Sequence, residues 1–395
     1  MSIIYSNMLP EFNNTEIAFR YRNNDELKKA RFLFSSMGSP ALTSVGMAAT
    51  KFAISWGLPV TGLIKSTLFR QFCGGETMDE AGATAAMLGK YGVGTILDYG
   101  VEGKESEQDF DKAVPEFVNA IKYAAANKNI PFISIKVTGF AYFDLLEKIH
   151  AGVPLADAGK AAWDRVYKRI DTICGTAATH GIMVLVDAEE SWIQKPVDDL
   201  TDAMMEKYNK KEAIVFNTFQ MYRHDRLVFL KESYDVAQSK GYVLGAKLVR
   251  GAYMEKERAR AAEKGYPSPI QPNKQATDTD YDAAVLFCME RLGTVSVFIG
   301  THNEQSCMKA AQWMHEHNVP AQSKNVYFSQ LFGMSDNISF NLAGSGYHVA
   351  KYLPYGPVKD VIPYLMRRAQ ENTSVAGQTG RELALINQEI KRRAL

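Results

Sequence analysis

Two patterns of hydrophobic and polar residues divide the chain near Tyr91. Before this residue, apolar positions recur at helical spacing, and the segment 77–91 begins with Thr77 followed three positions later by Glu80, which is typical of a helix capping box. After it, short runs rich in Val, Ile and Phe alternate with longer helical patterns. The chain is therefore predicted to have an N-terminal helical region, residues 1–90, followed by an α/β domain.

Eight apolar runs in the second region are predicted strands. They cover residues 93–100, 131–139, 181–189, 213–220, 242–250, 295–303, 325–333 and 347–356. Nearly continuous apolar strands are typical of a sheet buried on both faces, and helical crossovers favour parallel pairing. Eight such units over about 280 residues predict a (β/α)8 barrel of the TIM type, residues 91–375, with a C-terminal helical tail, residues 376–395.

Polar residues mark the carboxyl-terminal ends of six predicted strands. They are Lys136, Asp187, Gln220, Lys247 with Arg250, Thr301 with His302 and Asn303, and Tyr352. One lysine at a strand end is more often an ordinary surface residue. Because the loops at this face of a (β/α)8 barrel build the active site, the recurrence predicts a shared site.

Charge and cysteine content narrow the function. Lys and Arg total 45 against 44 Asp and Glu, so the net charge of +1 gives no basic field for nucleic acid, and a small-molecule partner is expected. The four cysteines lack CxxC spacing and are typical of reduced, buried thiols. The first residues show no basic stretch followed by an apolar one, so a secretory signal is not predicted and a cytoplasmic location is expected.

The apolar segment 41–64 raises the question of membrane contact. It is long enough to span a bilayer, but Gly, Ser, Thr and Pro interrupt it and Lys51 falls near its middle, where a charge is costly. The segment is predicted to form buried or surface-docking helices. Peripheral contact with the inner face of the cytoplasmic membrane stays open.

Several common site motifs do not occur. There is no G-x-G-x-x-G after a strand, no P-loop, no H-E-x-x-H and no G-x-S-x-G, so a Rossmann site, a metal centre and a serine nucleophile are not predicted. What remains is an adjacent pair, Arg367 and Arg368, in a helix that follows Pro357, with Tyr364 before the pair and Glu371 after it. Paired guanidinium groups suit a carboxylate, although the segment alone would also fit an exposed charge network.

Six motifs in chain order resemble the proline dehydrogenase family of FAD enzymes, over roughly residues 70–375. They are SIK (134–136), VDAEE (186–190), LVRGAYMEKE (248–257), GTHN (300–303), QLFGMSD (330–336) and YLMRRAQEN (364–372). The resemblance implies a distorted (β/α)8 barrel that binds FAD at its carboxyl-terminal face. It also implies oxidation of L-proline to Δ1-pyrroline-5-carboxylate by hydride transfer from C5 to flavin N5, the first step of proline catabolism to glutamate.

The resemblance also implies residue roles. The catalytic set is Lys136, Asp187, Tyr352, Arg367 and Arg368. The substrate set is Lys136, Tyr253, Leu331, Tyr352, Tyr364, Arg367 and Arg368. The FAD set is Asp187, Gln220, Lys247, Arg250, Gly251, Ala252, Thr301, His302, Asn303, Arg368, Glu371 and Ser374. Lys247 stands where relatives often have arginine.

Partners and rival functions follow from the same features. The family implies a membrane quinone as electron acceptor and a separate pyrroline-5-carboxylate dehydrogenase downstream. Tyr352 resembles the residue of proline-selective members, while hydroxyproline dehydrogenase activity is the nearest alternative. A Schiff-base aldolase using Lys136 or Lys247, or a non-enzymatic scaffold that docks on membranes, would also fit parts of the pattern.

Overall fold

Eight parallel strands form one closed barrel in chain order in the computed structural model. The structure describes residues 8–37, 61–100, 105–374 and 378–395, without the side chains of 61, 63 and 369–379. The strands are β1 Val93–Tyr99, β2 Phe132–Ile135, β3 Met183–Val186, β4 Val215–Gln220, β5 Leu244–Val249, β6 Val295–Gly300, β7 Val326–Leu331 and β8 Val349–Tyr355. All eight predicted strands are confirmed, and with them the (β/α)8 fold.

The helices occupy the predicted positions between the strands. They are α1 Thr15–Phe19, α2 Asn24–Met37, α3 Thr61–Ile64 continuing through the π-helical Lys65–Phe69 to Arg70–Phe72, α4 Met78–Gly89, α5 Glu107–Ala125, α6 Phe143–His150, α7 Asp157–His180, α8 Ser191–Tyr208, α9 Arg226–Lys240, α10 Met254–Lys264, α11 Lys274–Met289, α12 Glu304–Glu316, α13 Asp336–Gly344, α14 Val358–Ser374 and α15 Gln378–Arg392. The connections after β2 and β5 each hold two helices, where the sequence pattern predicted one.

The first and last strands of the barrel pair in parallel. The pairing of β1 with β8 runs from Val93 opposite Val349 to Tyr99 opposite Tyr355. Every residue of β8 is buried, as expected for a parallel strand covered on both faces. This burial includes Lys351, a charged residue in an apolar strand.

The described residues group into two units, one from Met1–Glu102 with Gln330–Leu395 and one from Gly103–Ser329. Within the first unit, α1, α2 and α15 share a core cluster that includes Phe19, Leu27, Phe34 and Ile386. A second cluster joins residues of α2, α3 and α14. The predicted boundaries at residues 90 and 375 stay predictions.

The start of α4 follows the predicted capping pattern with one difference. The Thr77 side chain accepts from the Glu80 amide at 3.2 Å, as expected. The Glu80 carboxylate, however, accepts from the Glu76 amide at 2.7 Å rather than from the amide of Thr77. The carboxylate therefore reaches one residue before the helix cap. The backbone passes close to Glu80 at Gly75, where φ is +155° and a Cβ atom would lie 2.3 Å from Glu80 Cβ.

The helices of the described residues bear on the predicted membrane contact. Among them, no helix has the length and apolar character needed to cross a bilayer. Most of the apolar segment 41–64, residues 41–60, lies outside the described residues. The prediction about its docking role therefore stays a prediction.

Candidate active site

A buried carboxylate gathers two lysines at the ends of neighbouring strands. Asp187 directly follows β3 and is 9% exposed. Its Oδ2 lies 3.0 Å from Lys136 Nζ, and its Oδ1 lies 2.5 Å from Lys247 Nζ. Three predicted site residues are thus brought together, and the expected pairing of Lys136 with Asp187 is observed. Two cations on one carboxylate leave positive charge available for an anionic or electron-rich ligand.

Ser134 is a member of this group that sequence reasoning missed as a site residue. It lies in β2, and its hydroxyl donates to Asp187 Oδ1 at 3.0 Å. Because alternate residues of a strand face the same side, its spacing of two from Lys136 was the available signal.

Glu189 forms a second polar group beside the first. Its carboxylate accepts from the amide and the hydroxyl of Thr138, at 3.1 and 2.5 Å. Burial raises the pKa of Glu189 to about 7, partly offset by Thr138 and Lys136. Its carbonyl oxygen accepts from the Gln220 amide at 2.8 Å, while Gln220 Oε1 accepts from the Ala252 amide at 3.4 Å.

Replacing Glu189 with Gln is expected to change how stability depends on pH. Below about pH 4.5 the Glu189 carboxyl is protonated in both the unfolded and the folded wild-type protein. As the pH rises from there to about 7, the carboxyl ionises in the unfolded protein but stays protonated in the folded one, so the free energy of unfolding of the wild type falls. The loss has an upper bound of about 3 kcal/mol. The Tm of Glu189→Gln minus that of wild type should therefore grow between pH 5 and pH 8. A pH-independent difference would contradict this expectation, and exposed Glu263→Gln is the control.

Arg250 organises the third group of predicted residues. Its Nη1 donates to Thr301 Oγ1 at 2.7 Å, and its Nε lies 2.7 Å from Asp278 Oδ1. The guanidinium lies 4.3 Å from the ring centroid of Tyr281. Asp278 and Tyr281 were not predicted, because nothing in the segment 274–289 distinguishes them from an ordinary helix surface.

Two predicted cofactor residues at the start of α12 lie beside this group. Asn303 is the helix N-cap, and its side chain accepts from the amides of Gln305 and Ser306 at 2.9 and 3.1 Å. Its own amide donates to Thr301 Oγ1 at 3.1 Å. His302, between them, is half-buried. The side-chain oxygen of Asn303 is therefore engaged in capping, which leaves its amide nitrogen for any ligand.

Gly251 lies where the chain leaves β5 in a conformation that favours glycine. Its φ is +137°, and a Cβ atom there would lie 2.4 Å from the Tyr222 ring. Gly251 and Ala252 are both exposed, so the backbone is open to a bound group. Tyr253 follows as the half-buried N-cap of α10.

The arginine pair lies in the middle of α14, as predicted. Arg368 is 8% exposed and Arg367 is half-buried. The Arg368 guanidinium lies 5.2 Å from the ring centroid of Tyr364, one turn earlier. The solvated charge network that the segment alone would suggest is therefore excluded for Arg368. The side chains of Glu371 and Ser374 lie outside the described residues, so their predicted contacts are untested.

The predicted ring-binding residues share backbone and core contacts. Tyr352 and Tyr364 are each 8% exposed, and half-buried Leu331 packs against the core cluster that contains Tyr364. The amide of Phe332, next to Leu331, donates to the Tyr352 carbonyl at 2.9 Å. Leu331 and Tyr352 are thereby fixed at the ends of β7 and in β8.

A closed parallel (β/α)8 barrel with charged side chains at its strand ends is the arrangement of a barrel enzyme. The model of the family "Proline dehydrogenase" matches residues 81–381. The chain belongs to the proline dehydrogenase family, an oxidoreductase family, which confirms the resemblance seen in its motifs.

Individual relatives agree with this assignment. The chain is 35% identical over 323 residues to the carbapenem antibiotics biosynthesis protein CarD of Pectobacterium carotovorum subsp. carotovorum, covering 82% of this chain and 83% of that protein. It is 32% identical over 379 residues to mitochondrial proline dehydrogenase 1 of Dictyostelium discoideum, covering 85% and 66%. It is 31% identical over 373 residues to hydroxyproline dehydrogenase of Xenopus laevis, covering 86% and 79%.

Among solved structures, proline utilization A (PutA) from Bdellovibrio bacteriovorus inactivated by N-propargylglycine aligns with a TM-score of 0.70 and 20% identity. The alignment covers 92% of this chain and 37% of that chain, so this chain spans little more than a third of PutA. At this identity the likeness shows the shared fold.

Proposed function

We propose that this protein oxidises L-proline to Δ1-pyrroline-5-carboxylate with FAD as cofactor. The observation that carries the proposal is the buried Arg368 beside Arg367 and Tyr364 on α14, in a chain of the proline dehydrogenase family. Guanidinium groups bind a carboxylate through charge-assisted hydrogen bonds, and an aromatic wall suits a saturated ring.

The substrate carboxylate binds Arg367 and Arg368 in this proposal. Tyr352, Tyr364 and Leu331 confine the ring and exclude water from it. Holding the ring in one orientation replaces a chance encounter with a fixed one, which supplies much of the rate. The substrate amine has to be neutral for hydride to leave C5, because the lone pair of the nitrogen forms the C=N bond of the product. Activity is therefore expected to rise with pH until the amine is deprotonated.

The residues at the ends of β2 to β6 fit the flavin cofactor. Two lysines on Asp187 supply positive charge, and Gln220 supplies an amide near the same strand ends. The exposed backbone at Gly251 allows close approach, and the side-chain amide of Asn303 and half-buried His302 are suited to a nucleotide. FAD, when bound, supplies a hydride acceptor at flavin N5. Lys136 and Lys247 would then hold and orient the isoalloxazine.

The Schiff-base aldolase has weaker support. Both candidate lysines are ion-paired with Asp187, and the matched family is one of oxidoreductases. Hydroxyproline oxidation is the second candidate, favoured by the similarity to a hydroxyproline dehydrogenase. The bulky phenol of Tyr352 argues for proline as the preferred substrate, because it leaves less room for a ring hydroxyl.

The family resemblance alone supports the rest of the proposal. Electrons pass to a membrane quinone, a separate pyrroline-5-carboxylate dehydrogenase consumes the product, and segment 41–64 offers a peripheral contact with the inner face of the cytoplasmic membrane.

An absorption spectrum tests the assignment. The purified protein is expected to show flavin bands that bleach anaerobically with L-proline, because reduction of the isoalloxazine removes its visible absorption. Oxidised flavin bands that persist after L-proline is added would overturn the assignment of L-proline as the substrate. A colourless protein that sodium borohydride traps covalently with a carbonyl substrate would instead indicate the aldolase.

A further inference from the structure

A second buried ion cluster forms among residues of the first unit. We call Tyr21, Arg22, Asp336 and Lys351 the Asp336 cluster. Lys351 Nζ lies 2.8 Å from Asp336 Oδ1, and Arg22 Nη2 lies 3.2 Å from Asp336 Oδ2. The Tyr21 hydroxyl donates to Asp336 Oδ2 at 2.7 Å. The Lys351 side chain is 0% exposed and that of Asp336 4%.

Charge in this cluster is fixed by its members. Burial would raise the pKa of Asp336, but Lys351 and Arg22 lower it to about 2. Burial first, and then the charge of Asp336, raise the pKa of the neighbouring Glu382 to about 7. Asp336 is therefore an ionised carboxylate at any working pH, and its loss would remove the one negative charge that Lys351 and Arg22 share in this cluster.

The cluster holds the short connection between β7 and α13, residues 332–335. Lys351 Nζ donates to the Met334 carbonyl, and the Ser335 amide donates to the Glu382 carboxylate. Ser335 has φ +49°, a left-handed conformation that is unfavourable for a residue other than glycine. Such a conformation persists only where the surroundings determine it.

A third bond anchors the same connection at Gly333. The Gln71 amide donates to the Gly333 carbonyl at 2.6 Å, and Gln71 Oε1 accepts from Arg22 Nη1 at 3.1 Å. A Cβ atom at Gly333 would lie 2.0 Å from the Gln71 carbonyl oxygen, so the two backbones are in close contact. Arg22 thus contacts both Asp336 and Gln71, the residue that donates to the Gly333 carbonyl.

The connection leads directly to two predicted ring-binding residues. Leu331 precedes it, and the Phe332 amide donates to the Tyr352 carbonyl at 2.9 Å. Lys351 is the residue before Tyr352 in β8, so their side chains lie on opposite faces of the strand. The Asp336 cluster therefore lies behind the strand whose other face presents Tyr352.

We infer that Lys351 and Asp336 are positioning residues that set the spacing between Leu331 and Tyr352, and through it the selectivity for the substrate ring. The inference rests on the proposed function. A buried ion pair adds little stability over apolar residues of the same volume, so stability alone is a poor reason for this cluster. Fixing a short connection in a strained conformation is a task that directed, multivalent bonds perform better than apolar packing.

The experiment compares Lys351→Met and Asp336→Asn with wild type. The first keeps the length of the side chain, and the second keeps its shape and an acceptor for Tyr21. Each is expected to lower kcat/KM for L-proline roughly ten- to hundredfold, since small misplacements have effects of that order. Each should also lower the ratio of kcat/KM for L-proline to that for trans-4-hydroxy-L-proline by about tenfold. Tyr352→Ser gives the size of the shift for an opened pocket.

Ile386→Ala is the matched control for a general loss of stability. Ile386 is 1% exposed in the helical core of α1, α2 and α15. This variant should lower Tm while the substrate ratio, measured per bound flavin, stays at its wild-type value. If Lys351→Met yields no folded protein, Asp336→Asn decides.

The possible failures are distinct. A wild-type protein that turns over neither substrate overturns the proposed function. An active wild type, with a substrate ratio that changes by less than about twofold in the folded variants, overturns the positioning role.

Discussion

Asp187→Asn is expected to lower kcat/KM for L-proline by about a hundredfold and to lower Tm. The carboxylate is 9% exposed and holds Lys247 Nζ at 2.5 Å and Lys136 Nζ at 3.0 Å. Removing one partner of a buried ion pair costs about 3–5 kcal/mol, and the 27% exposed side chain of Lys136 places the expected effect at the lower end. That cost is expected to lower Tm. The fall in kcat/KM is a separate effect, because lysines that lose this carboxylate are no longer held in one orientation, and a hundredfold fall corresponds to about 2.7 kcal/mol of transition-state stabilisation.

The measurement combines steady-state kinetics, flavin content and thermal unfolding. Glu206→Gln is the control, because it removes one member of an exposed ion pair with Lys240 and should leave all three quantities unchanged. Normal kinetics and a normal Tm in Asp187→Asn would show that the lysines do not depend on this carboxylate.

Arg367→Met and Arg368→Met are each expected to raise the KM for L-proline while flavin stays bound. A charge-assisted hydrogen bond contributes about 1.5–3 kcal/mol, so the expected increase is about ten- to 150-fold for each arginine. The larger effect is expected at Arg368, since it is 8% exposed and stacks near Tyr364, so that water replaces it less readily.

Arg258→Met is the matched control for the arginine variants. Arg258 is exposed on α10 and belongs to none of the predicted substrate or cofactor sets, so its loss should leave the KM unchanged. Flavin content separates a substrate effect from a cofactor effect. Wild-type KM values in both Arg367→Met and Arg368→Met would exclude the carboxylate clamp.

The hydrophobic periodicity of the sequence, and the helical patterns that separate its apolar runs, were enough to predict the barrel. The eight strand predictions succeeded because a parallel strand buried on both faces has an unbroken apolar run, and such runs were separated by helical patterns. The extra helices α6 and α10 were missed because one helix was assigned to each segment between two strands. A short helix that shares such a segment with a longer one was therefore not counted. The capping prediction at Thr77 succeeded in its local half, which depends on residues three positions apart.

Site residues were predictable where topology and family motifs agreed. Lys136, Asp187 and Gln220 could be placed at strand ends, because the carboxyl-terminal ends of parallel strands in a barrel lie on one face. Their common position was therefore a property of the sequence pattern. Their roles in binding remain predictions.

Only the tertiary structure decided which charged groups meet. Lys247 and Asp187 are 60 residues apart in the chain, and Arg22 and Asp336 are 314 apart, yet both pairs are in contact. Alternation along a strand tells which face a side chain takes but not what it meets there, and Lys is so rarely fully buried that Lys351 gave no signal of its 0% exposure. The sequence by itself determined the elements and the face of the site, because these depend on local periodicity. The long-range packing of distant segments decided the partners of each charge, because a contact between distant residues leaves no local pattern.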